Sequence, residues 1–193
     1  MTVPESDYPI NLFINLTNGL VNQGEGLVER RLSEMGPFFV DQSAVAEIAK
    51  AEDRLIYDMV HHYFLTSVSD MSMAVSRIQP GKVGSEYHMT KGHFHERIDQ
   101  PENYFCLQGT GFLLMETLDG EFRAVPWKPG VLTHIPGQWA HRVVNTGNDV
   151  LFFVSAFHKA AGHEYQRVEE KGFAQIVVER EGKPVLIPNP RRK

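Results

Sequence analysis

The sequence predicts an all-β protein closed into a single small barrel or sandwich, and three observations point there. From residue 63 onward, short alternating apolar and polar segments recur about every ten residues with turn signals between them, the pattern of strands closing on themselves. Only one stretch, residues 43–58, has a helical period. Three histidines and a glutamate fall on separate predicted strands in a way that lets them converge, which a barrel interior permits.

Size and composition fit one domain. The chain has 193 residues, 42% apolar and 22% charged, enough for one substantial core. Its net charge of −5 argues against broad nucleic-acid binding, so an anionic substrate must be held by a local site. Cys106 is the single cysteine and excludes an internal disulfide, which fits a reducing cytoplasm. No apolar run approaches a membrane span, and Met1-Thr2-Val3-Pro4-Glu5-Ser6-Asp7 does not read as a signal peptide. The expected division is 1–66 for N-terminal strands and helix, 67–175 for the barrel core, and 176–193 for C-terminal strands and tail.

The elements follow in order. Ile10, Leu12, Ile14 and Leu16 alternate as a short strand, Asn18-Gly19 and Gly24-Glu25-Gly26 are turns, and residues 28–32 form another strand. Met35-Gly36-Pro37 breaks it. In the helix over 43–58, Ser43 is the expected cap. Val45, Ile48, Ala49, Leu55 and Ile56 supply the face that covers one side of the barrel. Strands are expected over 72–78, 83–89, 123–127, 131–135, 141–145 and 150–157. The apolar run over 105–117 is broken by Gly109-Thr110-Gly111, and Asp119-Gly120 marks a hairpin. Residues 175–187 give two short strands around Glu181-Gly182, and the last six residues read as a loose basic end.

The chemistry gathers between His93 and His141. His93 and His95 are two apart, so on a strand they share a face. Glu102, Tyr104, Cys106 and Gln108 alternate with Asn103, Phe105 and Leu107. His141 follows the Pro136-Gly137 turn signal and leads back into an apolar run. Three imidazoles and one carboxylate form a shell for a divalent transition metal, with Fe, Ni, Zn and Mn all suited. Four protein ligands on an octahedral metal leave positions open for substrate; a closed tetrahedral zinc site would be structural.

These spacings resemble the paired motifs of the cupin superfamily, a small double-stranded β-barrel or jelly roll. One motif runs His93-x-His95 to Glu102 and Gly109, the other from Gly130 through Pro136 to His141 and Asn145. There are departures: Gln138 replaces a usual glycine, six residues rather than three or four separate His95 from Glu102, and Tyr87 stands where a glycine is usual. With Tyr87-His88-Met89-Thr90-Lys91-Gly92 before the ligands, Trp139-Ala140-His141-Arg142, Ala161-Gly162-His163-Glu164-Tyr165 and Glu170-Lys171-Gly172-Phe173, residues 70–193 resemble the cupin-type glucose-6-phosphate isomerases of archaea and some bacteria.

That resemblance implies an aldose–ketose isomerase that interconverts glucose 6-phosphate and fructose 6-phosphate. It implies one divalent metal per chain, Fe(II) foremost with Mn, Ni or Zn as alternatives, on His93, His95, Glu102 and His141. Glu102 is ligand, base, or both in turn, and His163 is a second proton carrier. Ser76, Thr90, Gly92 and Tyr104 contact the sugar phosphate; a hydroxyl and glycine amides suit that role. Phe157 stands where better-known archaeal members carry a tyrosine, so a phenol that could bond the substrate is missing. His61 lies outside both motifs. A homodimer is expected, because the N-terminal strands and helix exceed what one barrel needs.

Two other readings use the same residues. Three His and one Glu also serve cupin Fe(II) dioxygenases, and a non-catalytic sugar-binding cupin could keep a structural metal. Thr90-Lys91-Gly92 beside the ligands favours the isomerase.

Overall fold

The computed structural model describes residues 11–22, 25–63 and 71–192. Expectations for residues 1–10, for Gly24 and for the last lysine lie outside them. Thirteen strands carry the fold: β1 (Glu25–Arg31), β2 (Leu55–Tyr63), β3 (Met71–Ile78), β4 (Lys82–Val83), β5 (Glu86–Tyr87), β6 (Glu102–Gln108), β7 (Gly111–Thr117), β8 (Phe122–Trp127), β9 (Leu132–Ile135), β10 (Trp139–Asn145), β11 (Leu151–His158), β12 (Gln175–Arg180) and β13 (Lys183–Pro188). The helices are short: α1 (Leu32–Met35), α2 (Gln42–Ala51) and α3 (Gln166–Lys171).

The strands form three sheets, ordered β1-β2-β3-β11-β6-β9, β10-β7-β8 and β13-β12-β5-β4. The first two face one another and enclose the core. Trp127 of β8 lies 5.3 Å from the Phe153 ring of β11 and 6.0 Å from Tyr104 of β6, so the core sits between the sheets. Period-two alternation sets what points inward. Along β6, Glu102, Tyr104 and Cys106 are buried while Asn103 and Phe105 are not. β11 pairs with β3 and with β6 and brings Ser76, Phe153, Ser155 and Tyr104 onto one inner face.

Four sequence expectations are corrected. The helix over 43–58 stops at Ala51, Glu52 is already extended, and residues 55–63 are β2. Ile48, Leu55 and Ile56 happen to share a helical spacing, but Leu55 and Ile56 serve a strand that pairs with both β1 and β3. The cap is Asp41, whose Oδ1 accepts the Ala44 amide at 2.9 Å; Ser43 instead donates its hydroxyl to that same oxygen at 2.6 Å. The single strand expected over 83–89 is the tight hairpin β4–β5, turned at Gly84 with φ 59°. The basic end is held down. Arg191 donates to the Pro37 and Glu169 carbonyls, and Arg192 pairs with the buried Glu116.

Near the start, Ile14 and Val21 form an isolated bridge around Asn18-Gly19. A Cβ on Gly19 would stand 2.8 Å from the Phe152 ring, so this turn lies directly on the outer face of the large sheet. Among the described residues no helix is long and apolar enough to cross a membrane.

Candidate metal centre and substrate cavity

His93 and His95 do not sit in a regular strand. Residues 88–95 run antiparallel to β10 through two bridges, Met89 to Val144 and His93 to His141, and the register slips by one residue between them. The slack is the bulge Thr90-Lys91-Gly92, with Gly92 at φ 71°. Glycine is required here twice over: the φ is left-handed, and a Cβ would meet the His141 carbonyl oxygen at 3.0 Å and the Phe173 ring at 2.8 Å. Arg142, 2% exposed, closes the bulge by donating Nε and Nη2 to the Lys91 carbonyl at 3.1 and 2.6 Å. Its guanidinium stacks 4.8 Å from the Phe173 ring centre.

Reciprocal bonds fix the segment that carries His93 and His95 on both sides. His93 and His141 exchange amide-to-carbonyl bonds at 3.3 and 3.1 Å, and Phe94 and Glu164 do so at 3.0 and 2.8 Å. The second pair lays the His163 loop over His93, with ring centres 4.5 Å apart. His163 also stacks on Tyr165, 5.8 Å away and 5° from parallel.

Potential donor atoms of His93, His95, Glu102 and His141 all lie within 4.8 Å of one another, and none of the four residues is more than 9% exposed. The outer nitrogens are anchored. His95 Nδ1 lies 2.7 Å from the Gln100 carbonyl and His141 Nδ1 lies 3.1 Å from the Trp139 carbonyl. An N–H donated outward leaves the Nε2 lone pair facing the centre, the arrangement that orients metal-binding histidines. Glu102 Oε2 stands 3.3 Å from His95 Nε2 and 3.1 Å from His141 Nε2. The latter approach lacks hydrogen-bond alignment, so His141 Nε2, like His93 Nε2, is buried without a partner among the described residues. Buried nitrogens left unmatched and aimed at a carboxylate are what a divalent cation would satisfy, so the residues fit a metal.

Charge follows the same logic. Burial, then the neighbouring imidazoles of His141, His163 and His95, hold His93 well below its usual pKa and keep it neutral. Burial alone would raise the Glu102 carboxyl, but the adjacent His141 and His95 imidazoles outweigh it and hold the group below its usual pKa. For His95, burial is likewise outweighed, by Glu102 and the Gln100 carbonyl, and its pKa is raised. Burial pushes His163 down to about 4.

Through His93 and Glu102 the quartet opens on a cavity. Every substrate residue expected from sequence lines it: Ser76, Thr90, Gly92, Tyr104 and His163, together with Glu102. Thr90 accepts the Val143 amide at 3.1 Å through its hydroxyl oxygen, which leaves the hydroxyl proton free for a ligand. Tyr104 stands edge-on to His141 at 5.3 Å. Phe157 is on the wall and offers no polar atom. Sequence reasoning missed Tyr57, Met59 and His61, which reach the cavity from β2, and Ser155 and Tyr165. The signal was present in the period-two spacing of Tyr57, Met59 and His61, hidden by assigning residues 55–58 to a helix.

The chain is similar to known proteins along most of its length. Residues 29–189 match the family described as glucose-6-phosphate isomerase (GPI). The glucose-6-phosphate isomerase of Thermococcus kodakarensis is 40% identical over 96% of this chain and 97% of its own length. That of Pyrococcus horikoshii is 37% identical over the same shares. Among solved structures, an oxalate decarboxylase from Bacillus subtilis is 20% identical with a TM-score of 0.44, covering 56% of this chain and 26% of that one.

Proposed function

Because the chain belongs to the glucose-6-phosphate isomerase family, we propose that it interconverts glucose 6-phosphate and fructose 6-phosphate with a divalent metal held by His93, His95, Glu102 and His141. One observation carries this reading: the buried quartet opens onto a cavity that also presents the Thr90-Lys91-Gly92 bulge. When bound, the metal would polarise the sugar carbonyl and favour the enediolate, with Fe(II) the first assignment and Mn, Ni or Zn compatible with the same donors.

The protein groups do the rest. Glu102 takes the proton from C2 as the C–H electron pair forms the enediolate double bond, and returns it at C1. With Oε2 turned to the imidazoles, Oε1 is the oxygen that carries the proton. His163, neutral at pH 7, moves protons between the sugar oxygens. Thr90 and the Gly92 amide hold the phosphate, with Ser76 and Tyr104 completing the cradle and Lys91 adding charge at the rim.

The working form is a homodimer. The outer face of the large sheet carries a cross-strand row, Leu27, Val60, Val75, Val154, Phe105 and Leu132, one residue per strand. Its ends are open, with Leu27 62% and Leu132 67% exposed, and Phe13, Leu16 and Leu20 of the N-terminal turn add to the exposed apolar surface. A self-complementary apolar face suits a two-fold partner, a second copy of this chain. Leu132→Asp is expected to halve the sedimenting mass, and an unchanged mass would rule this face out. A single buried thiol, Cys106, suits the cytoplasm.

Assay of fructose 6-phosphate under argon tests the reaction. Anaerobic turnover is expected. Strict dependence on oxygen would mark a dioxygenase, and no turnover of any sugar phosphate would mark a binding protein.

A further inference from the structure

His61 is absent from both metal motifs, yet the fold turns it into the cavity. It lies on the inner face of β2, is 8% exposed, and shares the cavity wall with Glu102 and His163. Its cross-strand neighbour on β3 is Ala74, and Ala74 in turn pairs with Ser155, so on that side only small side chains flank the ring; on the β1 side its register partner is Glu25. The ring is held in place by stacking on Tyr63, 5.4 Å away and 10° from parallel. Its Nδ1 is buried and has no hydrogen-bond partner among the described residues. A buried polar atom left unpaired is costly, and such atoms in native proteins call for a specific explanation. Nearby on the same wall, Met59 and Phe157 can offer no hydrogen-bonding N or O atom from their side chains.

Outside the ligand quartet, the cavity therefore presents two imidazoles, His61 and His163. Hexose 6-phosphates are mostly closed rings, and an isomerase must open them before C2 can be deprotonated. Opening moves two protons: the anomeric O1–H is removed as its electron pair becomes the carbonyl π bond, and the C1–O5 bond breaks onto O5, which takes up a proton. An imidazole that takes the O1 proton becomes an imidazolium, the form that can donate a proton onward to O5. Burial, followed by the charge on Arg30, keeps His61 below its usual pKa, so it offers a lone pair and an N–H together.

We infer that His61 touches the sugar end of the substrate and, with His163, carries the proton transfers that open and close the pyranose ring. The proton taken from O1 is passed through the pair to O5, so both rings end neutral, and the direction reverses on closure. The inference rests on the isomerase reading and adds a second acid–base group to it.

The test compares glucose 6-phosphate with 5-deoxyglucose 6-phosphate, which lacks O5 and cannot form the six-membered ring. His61→Phe keeps the stacking surface toward Tyr63 and removes both nitrogens; His61→Gln keeps a hydrogen-bonding group that cannot shuttle protons. Each variant is used with its metal content and thermal melt matched to the parent. Both should lose on the order of 100-fold in kcat/KM on glucose 6-phosphate while staying within about threefold of the parent on the 5-deoxy compound. Equal losses on the two substrates, or no loss on either, would overturn the inference. A parent that turns over neither compound would instead sink the isomerase reading itself.

Discussion

The Thr90 hydroxyl accepts the Val143 amide at 3.1 Å, two residues past the candidate ligand His141, so the bulge that faces the cavity is pinned to the strand that carries the metal site. The proposed phosphate grip and the candidate metal site thereby share one piece of backbone. Thr90→Val removes the free hydroxyl proton and should weaken fructose 6-phosphate binding by about 1.5–3 kcal/mol, roughly 10- to 100-fold in Kd. Thr90→Ser keeps the hydroxyl and should stay near the parent. Calorimetric titration measures both, and parent-like binding by the valine variant would leave Thr90 a strand residue only.

Glu102 stands between two imidazoles with one oxygen and has a second to use. If it carries the proton between C2 and C1, turnover in heavy water should place deuterium in the product, because a carboxylic acid exchanges with solvent. A direct hydride shift would leave the product unlabelled. Glu102→Gln cannot take a proton at neutral pH and should lose turnover while metal content, measured in the same sample, shows whether the site survives. Near-parent turnover by a metal-loaded variant, without label, would leave Glu102 a ligand alone.

Stability should depend on His88. Its ring is 2% exposed, Nδ1 lies 3.1 Å from the Gln79 carbonyl, and Nε2 has no partner among the described residues. Burial first, and the charge of Arg54 second, lower its pKa from 6.5 to about 4. A depressed pKa means the fold favours the neutral ring. The contribution is therefore complete above pH 6.5 and shrinks as pH falls from there toward 4, by about 3 kcal/mol at most. Urea midpoints should fall between pH 7 and pH 5 in the parent and fall less in His88→Gln; the same slope in both would assign the effect elsewhere.

How much of this was legible in the sequence depended on range. Glu102, Tyr104 and Cys106 could be assigned to one face because period two is a local rule, and the four candidate ligands stood out because their spacings are short and unusual. The β2 strand was hidden because Ile48, Leu55 and Ile56 imitate a helical period, and only pairing with β1 and β3, set by distant residues, decides between strand and helix there. With β2 misread, Tyr57, Met59 and His61 could not be seen as cavity wall. Arg142 and Arg192 carry no local mark of their partners either: the Lys91 carbonyl lies 51 residues back in the chain and Glu116 lies 76 back, and only closure of the barrel brings them together.

The most direct test is metal content measured alongside turnover of fructose 6-phosphate in the same preparations. Chelator-stripped protein should be inactive, and activity should return with added Fe(II) or Mn in proportion to the metal bound, up to one ion per chain. His141→Ala should behave like stripped protein, whereas His61→Ala should still hold its metal. Full turnover in a preparation shown to be metal-free would contradict the account.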